Sequence, residues 1–122
     1  SVRDWECLML IYKILSEAQW SQAEQKGQFD GSGVDLRDGY IHFSTATQVR
    51  ETAAKHFSAR HGLVLLAVDI ERLGSGIRWE PSRGGALFPH LYGSMSLSAV
   101  AWVSPLPIGA DGFHVFPKEC IP

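Results

Sequence analysis

The first elements predicted from the order of apolar and polar positions are a strand and a capped helix. Residues 8–15 are apolar apart from one lysine and include the aromatic Tyr12, a composition typical of a strand. Ser16 follows, and Gln19 lies three residues further on, which is the Ser-x-x-Gln pattern of a capping box. Gly27 is the expected end of the helix. The sequence therefore opens with a strand that leads directly into a helix.

The next stretch predicts a long loop. Residues 28–39 contain three glycines and three aspartates, a composition typical of a loop. A loop of this length is unusual in so short a chain, and such loops often carry function.

A second strand and helix are predicted after this loop. Residues 40–44 alternate between apolar and polar positions, and the pair Thr45 and Gln48 repeats the capping pattern. The helix is expected to extend to about residue 60, with a buried face formed by Val49, Ala53 and Phe57 at four-residue spacing.

The C-terminal half predicts three further strands. Residues 63–69 are almost entirely apolar, which indicates a strand buried on both faces. Residues 77–80 and 99–104 are shorter strands, and residues 81–89 are predicted as a Gly- and Pro-rich loop. We therefore predict a single domain over residues 1–122, of the α+β class, with a small mixed or antiparallel sheet and two main helices.

Composition and charge narrow the partners of this domain. The 122 residues carry a formal net charge of -2 and show no basic stripe, which argues against nucleic-acid binding. No apolar run approaches the roughly 20 residues that span a bilayer, so no membrane partner is expected.

Cys7 and Cys120 lie near opposite ends of the chain. A disulfide between them is an alternative, but two reduced cysteines in a cytoplasmic protein are the preferred interpretation.

The first candidate for chemistry is residues 38–44. His42 lies on a predicted strand that leads into a helix start, where exposed backbone amides favour an anion. Ser44 and Thr45 add hydroxyl groups. The alternative is that His42 is a buried histidine bonded to a backbone carbonyl and that Thr45 acts only as a cap.

The second candidate is residues 78–85. Arg78 and Arg83 can bind phosphate or carboxylate in a forked geometry, Trp79 offers a stacking surface, and two glycines allow close backbone approach. The alternative is an ion pair between one of these arginines and Glu80 that holds a turn.

The third candidate is residues 88–93. His90 and Tyr92 are two positions apart, so in an extended segment both side chains project from one face. We expect His42 and His90 to face the same cleft, with one of them donating or accepting a proton. The alternative is an aromatic plug in a loop. A metal site formed by these histidines and Glu80 receives no support from their spacing.

These segments together resemble a known family. The motifs DGYIHFSTA (residues 38–46), RWEPSRGG (78–85) and FPHLYG (88–93) occur in this order after Tyr12 and Lys13. From about residue 10 to 117 the chain is similar to the bacterial and plant family called domain of unknown function 952. The resemblance implies a compact relative of the ADP-ribosyltransferase fold, with a split sheet that holds NAD in a cleft.

The resemblance also implies roles for particular residues. The triad of the larger group occupies three strands, which would place Tyr12 and Lys13 at the first position, His42 at the second and His90 at the third. The glutamate usual in that triad is missing from the third segment, and Glu80 lies ten residues earlier. The usual transfer mechanism therefore does not carry over directly to this chain.

Three functions follow as alternatives. The first is an enzyme acting on NAD, an ADP-ribosylated compound or a related phosphate ester. The second is a module that binds an anionic or nucleotide ligand without turnover, and the third is a structural or interaction protein. The candidate catalytic residues are His42, His90 and Glu80. The candidate ligand-binding residues are Tyr12, Lys13, Ser44, Thr45, Arg78, Trp79, Ser82, Arg83 and Tyr92. The only candidate cofactor is NAD, as a substrate, and the sequence predicts no oligomeric state.

Overall fold

The computed structural model describes residues 4–122, without the side chains of Asp4, Trp5 and Arg83. The α-helices are α1 (Asp4–Leu8), α2 (Glu17–Lys26), α3 (Val34–Asp38) and α4 (Val49–His56), and 3₁₀ turns cover Ile70–Gly76, Arg83–Gly85 and Leu97–Ala99. The strands are β1 (Leu10–Ser16), β2 (Gln28–Phe29), β3 (Ile41–His42), β4 (Leu63–Asp69), β5 (Ile77–Pro81), β6 (Leu87–Leu91), β7 (Met95–Ser96) and β8 (Val100–Pro105).

The strands form two three-stranded sheets and one short pair. The first sheet has the order β1-β4-β8, the second sheet has the order β3-β6-β5, and β2 pairs with β7. Every pair of these strands is antiparallel. The predicted α+β fold with an antiparallel sheet is therefore confirmed, and the mixed alternative does not occur among these strands.

Within the described residues, one isolated β-bridge joins the two main sheets. The backbone amide of Tyr12 on β1 donates to the carbonyl oxygen of Ser44 at 2.7 Å. The amide of Ser44, just beyond β3, donates back to the carbonyl of Tyr12 at 2.9 Å. The sheet is therefore split, and the split places the polar segment after β3 against the middle of β1.

The core lies on both faces of the first sheet. One apolar cluster includes Ile11, Leu66 and the helix residue Ala23, and the other includes Leu65 and Val49. Both Leu65 and Leu66 on the central strand β4 are 0% exposed. The prediction that residues 63–69 form a strand buried on both faces is therefore confirmed.

The two predicted capping boxes have different outcomes. At α2 both reciprocal bonds form, because the Ser16 hydroxyl accepts from the Gln19 amide at 3.1 Å and Gln19 Oε1 accepts from the Ser16 amide at 2.9 Å. Before α4 only half forms. The Thr45 amide donates to Gln48 Oε1 at 3.0 Å, whereas the Thr45 hydroxyl lies 3.2 Å from the Thr47 hydroxyl.

The second helix is shorter than expected. The amides of Gln48 and Val49 both donate to the Thr45 carbonyl, so a turn separates Ser44 from the start of α4. The helix ends at His56, and Phe57 is half-buried at its end, under the Arg60 guanidinium. Val49 and Ala53 are buried as predicted, while the predicted end near residue 60 is wrong.

The two predicted loops contain regular structure. Residues 28–39 include β2 and α3, and residues 81–89 include the first part of β6. Both short strands depend on partners far away in the sequence, since β2 pairs with β7 and β6 lies between β3 and β5. The strand expected at residues 8–15 begins only at Leu10, because Leu8 belongs to α1 and is exposed.

The expectation of two reduced cysteines is wrong. Cys7 and Cys120 form a disulfide with a Cα–Cα distance of 5.1 Å. The reason is tertiary: the C-terminal segment folds back onto the first sheet, where Ile121 is buried in the cluster that contains Leu65. Among the described residues, no helix combines the length and the apolar character that crossing a bilayer requires.

Candidate functional site

A cleft of about 660 Å³ is lined by residues of both sheets and of α3 and α4. Its floor consists of buried residues, which include Tyr12, Ile14, Phe43, Ser44, Phe88 and His90. Its rim consists of exposed residues, which include Val34, Arg37, Asp38, Arg60 and Ser82. The floor is therefore mostly apolar, and the permanent charges of Arg37, Asp38 and Arg60 lie at the rim.

Strand pairing brings the two predicted histidines together. His42 on β3 lies directly opposite His90 on β6, so both side chains project from the same face of the second sheet. Their ring centroids are 5.2 Å apart, in an edge-to-face arrangement. The His42 side chain is 26% exposed and that of His90 is 3% exposed. The expectation that the two rings face one cleft agrees with this geometry, since both line it.

Asp35 holds His42 in place. Asp35 Oδ1 lies 2.7 Å from His42 Nδ1 and also accepts the His42 backbone amide at 3.0 Å. Lys13 Nζ donates to both oxygens of Asp35, at 2.9 and 3.1 Å, and to the His42 carbonyl at 2.8 Å. Lys13 has three ammonium hydrogens, and these three acceptors use them all. Lys13 therefore positions Asp35 and His42 and has no hydrogen left for a ligand.

The protonation of this network follows from burial and pairing. Burial acts to raise the pKa of Asp35, but the hydrogen bonds from His42 and the charge of Lys13 outweigh it and hold that pKa at about 2. Burial lowers the pKa of Lys13, and the Asp35 carboxylate opposes this effect. The charge of each partner thus opposes the effect of desolvation on the other.

A second carboxylate contacts His42 from the rim. Asp38 Oδ2 lies 3.0 Å from His42 Nε2, so both ring nitrogens of His42 have a carboxylate partner. Both hydrogen bonds form together only when each nitrogen carries a proton. Hydrogen bonding from Arg37, at 3.1 Å, lowers the pKa of Asp38, and His42 adds to this effect.

Glu80 holds His90 in a similar way. His90 Nδ1 and the Tyr92 hydroxyl each lie 2.8 Å from Glu80 Oε1. These two hydrogen bonds, with that from His90 the larger effect, lower the pKa of Glu80. The bond to Glu80 raises the pKa of Tyr92. The ring of Tyr40 stacks on His90, with centroids 4.2 Å apart and an interplanar angle of 22°.

Two buried polar atoms of this cleft have no hydrogen-bond partner in the described part of the chain. They are His90 Nε2 and the hydroxyl oxygen of Tyr12. Burial raises the pKa of Tyr12 to about 12, so its hydroxyl keeps its proton at physiological pH. Buried polar groups in proteins are almost always hydrogen-bonded, so the partners of these two atoms are expected to come from outside the chain, as a water or a ligand.

Several predicted site residues meet at this cleft. Those that line it are Tyr12, Lys13, His42, Ser44, Ser82 and His90. Glu80 and Tyr92 belong to the site because Glu80 bonds to His90 and Tyr92 bonds to Glu80. The Arg83 side chain lies outside the described part of the structure, so its predicted role stays a prediction.

Other predicted residues lie elsewhere. Trp79 is opposite Pro89, on the face of the second sheet away from His90, because neighbouring residues of β5 alternate between faces. Arg78 shares the face of His90, but it is exposed and lies over the Tyr92 ring at 5.7 Å, outside the cleft lining. The expected stacking by Trp79 and anion binding by Arg78 in this cleft therefore do not agree with their positions.

The predicted anion site at the helix start also does not form as expected. Thr45 does not line the cleft, and its carbonyl accepts the amides of Gln48 and Val49. The amides that were expected to bind an anion after Ser44 are therefore partly used within the turn. The exposed positive charges of the cleft come instead from Arg37 and Arg60 at the rim.

The site residues to which the sequence analysis assigned no individual role lie mainly on α3 and α4. They are Asp35, Arg37, Asp38, Tyr40, Thr52 and Arg60. The available signal was the concentration of aspartates among the glycines of residues 28–39, which indicated function but not which side chain approaches His42. Among the described residues, no group of three or more His, Cys, Asp or Glu side chains is arranged to hold a metal ion.

Comparison with known proteins places the chain in a family. The chain is similar to protein CC0527 from Caulobacter crescentus, whose crystal structure shows 50% identity and a TM-score of 0.86, covering 91% of this chain and 97% of that chain. The solution structure of CC0527 shows 53% identity and a TM-score of 0.78, covering 86% and 90%. No curated protein matches. The family model described as "Protein of unknown function (DUF952)" matches residues 14–103, and the chain therefore belongs to this family.

Proposed function

We propose that the protein is an enzyme that acts on a small anionic molecule in the cleft, with His90 exchanging a proton with that molecule. The observation that carries the proposal is the unpartnered Nε2 of a buried, cleft-lining histidine whose other ring nitrogen is held by a carboxylate. An oriented imidazole of this kind is a common general base or acid.

The hydrogen bond to Glu80 determines what His90 can do. When Nδ1–H donates to the Glu80 carboxylate, the neutral ring presents the lone pair of Nε2 as an acceptor. The same carboxylate stabilises the positive charge that appears on the ring once Nε2 takes a proton. His90 is thus oriented and electrostatically supported for proton transfer, which is the role expected of it.

Tyr40 controls access to this nitrogen. Nε2 is hidden from solvent while Tyr40 stacks on the ring. Tyr40 is half-buried and follows Gly39, which has a φ of 86° at the end of α3. We infer that the ring of Tyr40 shifts when a ligand enters. The ring covers His90 through a stacking contact, and a small displacement of the ring would expose Nε2.

The charges at the rim support an anionic ligand. Arg37 and Arg60 line the cleft and are exposed, so their guanidinium groups can bind phosphate or carboxylate oxygens in a forked geometry. NAD, an ADP-ribosylated compound or a related phosphate ester fits this description. The resemblance to the ADP-ribosyltransferase fold supports the same class, and the split sheet is compatible with it.

A module that binds such a ligand without turnover is the second candidate. This candidate is favoured by the hydrogen bonding around His42. Both nitrogens of His42 and all three ammonium hydrogens of Lys13 already have partners within the protein, so neither side chain is available to react. A structural or interaction protein is the least supported alternative. It led us to expect distant histidines, whereas the two rings are 5.2 Å apart.

The disulfide argues against the cytoplasmic location that the sequence predicted. Disulfides such as Cys7–Cys120 are rare in reducing compartments and persist in oxidising ones. Trapping the free thiols of the protein in intact cells distinguishes the two: modification of both cysteines supports a cytoplasmic location, and protection of both contradicts it.

The test of function separates turnover from binding. The protein is incubated with NAD, ADP-ribose and inorganic phosphate, products are identified by mass spectrometry, and affinities are measured by calorimetry. We expect turnover of an NAD-derived substrate to be lost in His90→Gln and kept in His61→Gln, an exposed histidine outside the cleft lining. Binding without any product supports the second candidate. No binding of any probe at millimolar concentration contradicts both.

A further inference from the structure

We propose that the Tyr12 hydroxyl forms a subsite on the cleft floor for a neutral hydrogen-bond acceptor of the ligand, such as a ring carbonyl or amide oxygen. The anionic end of the same ligand then stays at the rim. This inference rests on the proposed function and adds to it the chemical class of the part of the ligand that enters deepest.

The position of Tyr12 is fixed by its surroundings. Its backbone makes both hydrogen bonds of the bridge to Ser44, and its ring lies 6.1 Å from the ring of Trp102. The residue is 1% exposed and belongs to the apolar cluster under α4. A ring held in this way keeps its hydroxyl at one place at the cleft floor. The hydroxyl is buried there, so a ligand contacts it only after a local shift of the floor.

The neighbouring hydroxyls do not serve as partners. Ser44 Oγ and Thr52 Oγ1 lie 2.7 Å apart, and Thr52 Oγ1 also donates to the Gln48 carbonyl at 3.2 Å. The Tyr12 hydroxyl makes no hydrogen bond within the described part of the chain. A buried hydroxyl without an internal partner indicates that the partner comes from outside.

The chemistry of the floor selects an uncharged partner. Burial raises the pKa of Tyr12 to about 12, so the hydroxyl is a donor throughout the physiological range. The floor around it is formed by apolar side chains that include Ile14, Val49 and Phe88. Burying an anion there would be costly, whereas a neutral oxygen that accepts one hydrogen bond is well tolerated.

The distribution of charge orients the ligand. Arg37 and Arg60 lie at the exposed rim, while His90 Nε2 offers an acceptor on the same floor as Tyr12. The complementary ligand therefore has a neutral, planar end that carries a carbonyl oxygen, and an anionic end. A simple phosphate fills only the rim.

Two probes that differ only at the neutral end test this inference. Uridine 5′-monophosphate and ribose 5-phosphate share the phosphate and the sugar, and only the first carries a ring with carbonyl oxygens. We expect the intact protein to bind the first about tenfold more tightly, the equivalent of one hydrogen bond. Tyr12→Phe should remove this preference and leave the affinity for ribose 5-phosphate unchanged. Equal affinities of the intact protein for the two probes, or no binding of either, would overturn the inference.

Thermal unfolding without ligand provides an independent measurement. Because the Tyr12 hydroxyl has no internal partner, Tyr12→Phe should leave the Tm unchanged or raise it. Ser44→Ala is the matched control, and it should lower the Tm by a few degrees because the hydrogen bond to Thr52 is lost. An equal loss of Tm in both variants would assign the Tyr12 hydroxyl a structural role. The loss of turnover in His90→Gln would still support the enzyme in that case.

Discussion

The two three-stranded sheets differ in length, burial and chemistry. The first sheet has strands of six and seven residues, and apolar clusters cover both of its faces. In the second sheet β3 has only two residues, and one face carries His42, His90 and Glu80. The first sheet is thus stabilised by apolar burial, whereas the second presents oriented polar side chains along its short strands.

Because of this difference, we expect the first sheet to provide most of the stability and the second sheet to provide the polar groups of the site. The contacts where the two sheets meet are the exception. Lys13 belongs to the first sheet and His42 to the second, and Asp35 on α3 bonds to both side chains. We therefore expect changes in the first sheet to affect folding and changes around His90 to affect the ligand. Changes at Asp35 should affect both.

The largest effect should come from Asp35→Asn. The change leaves the buried ammonium of Lys13 without its counter-charge, which costs about 3–5 kcal/mol when a buried pair loses one partner. Urea denaturation followed by circular dichroism measures this loss. Asp111→Asn, an exposed position away from this network, is the control. A loss below about 1 kcal/mol would show that the sheets do not depend on this contact.

Truncation within the first sheet should have a comparable effect. Leu65→Ala removes a side chain that is 0% exposed and should cost about 2–5 kcal/mol. Val103→Ala on β8, where the side chain is 39% exposed, should cost less than about 1 kcal/mol. Denaturation midpoints of the two variants check this. Ligand affinity should stay unchanged in both wherever the protein is folded, and a selective loss of binding in either would remove the distinction between the sheets.

Loss of the disulfide should weaken the side of the molecule where the C-terminal segment covers the first sheet. Cys7→Ser should cost about 2–4 kcal/mol, because the bond closes a long loop between the two ends of the chain. Thermal unfolding with and without a reductant measures the effect. The variant itself should not respond to the reductant, and an intact protein that is equally insensitive would contradict the expectation.

Acid should weaken the contact through which Asp35 joins Lys13 of the first sheet to His42 of the second. The folded-state pKa of Asp35 is about 2, below the ordinary value of 3.8, so its stabilising effect is fully present above pH 3.8. This contribution, about 2 kcal/mol from the difference in pKa, is lost as the pH falls from about 4 towards 2. The stability difference between the intact protein and Asp35→Asn should narrow over that range. A constant difference would exclude a depressed pKa at Asp35.

The smallest effect is expected at Phe57. A fully buried phenylalanine would cost about 3–5 kcal/mol on truncation to alanine. Phe57 is half-buried at the end of α4, so Phe57→Ala should cost about 1–2 kcal/mol. Comparison with Ala53→Gly, on the buried face of the same helix, calibrates the measurement. A loss of stability as large as that of Leu65→Ala would show that Phe57, which lines the cleft, belongs to the buried core.

The sequence by itself determined the elements whose signals are local. The capping box of Ser16 and Gln19 and the glycine at position 27 define α2, because all their hydrogen bonds span a few residues. The apolar run at residues 63–69 identified the central strand, because a short, uninterrupted apolar run is typical of a strand with both faces covered. The motifs around His42 and His90 identified the family for the same reason: they can be read without knowing the fold.

Only the tertiary structure decided which polar groups meet. The pairing of β3 with β6 places His42 opposite His90, although 48 positions separate them in the sequence. α3 brings Asp35 and Asp38 to His42, and the alternation along β5 directs Glu80 towards His90 and Trp79 away from it. The return of the C-terminal segment likewise joins Cys120 to Cys7. Such contacts depend on strand register and chain reversal, which are fixed by the burial of the whole core rather than by the residues that make the contact.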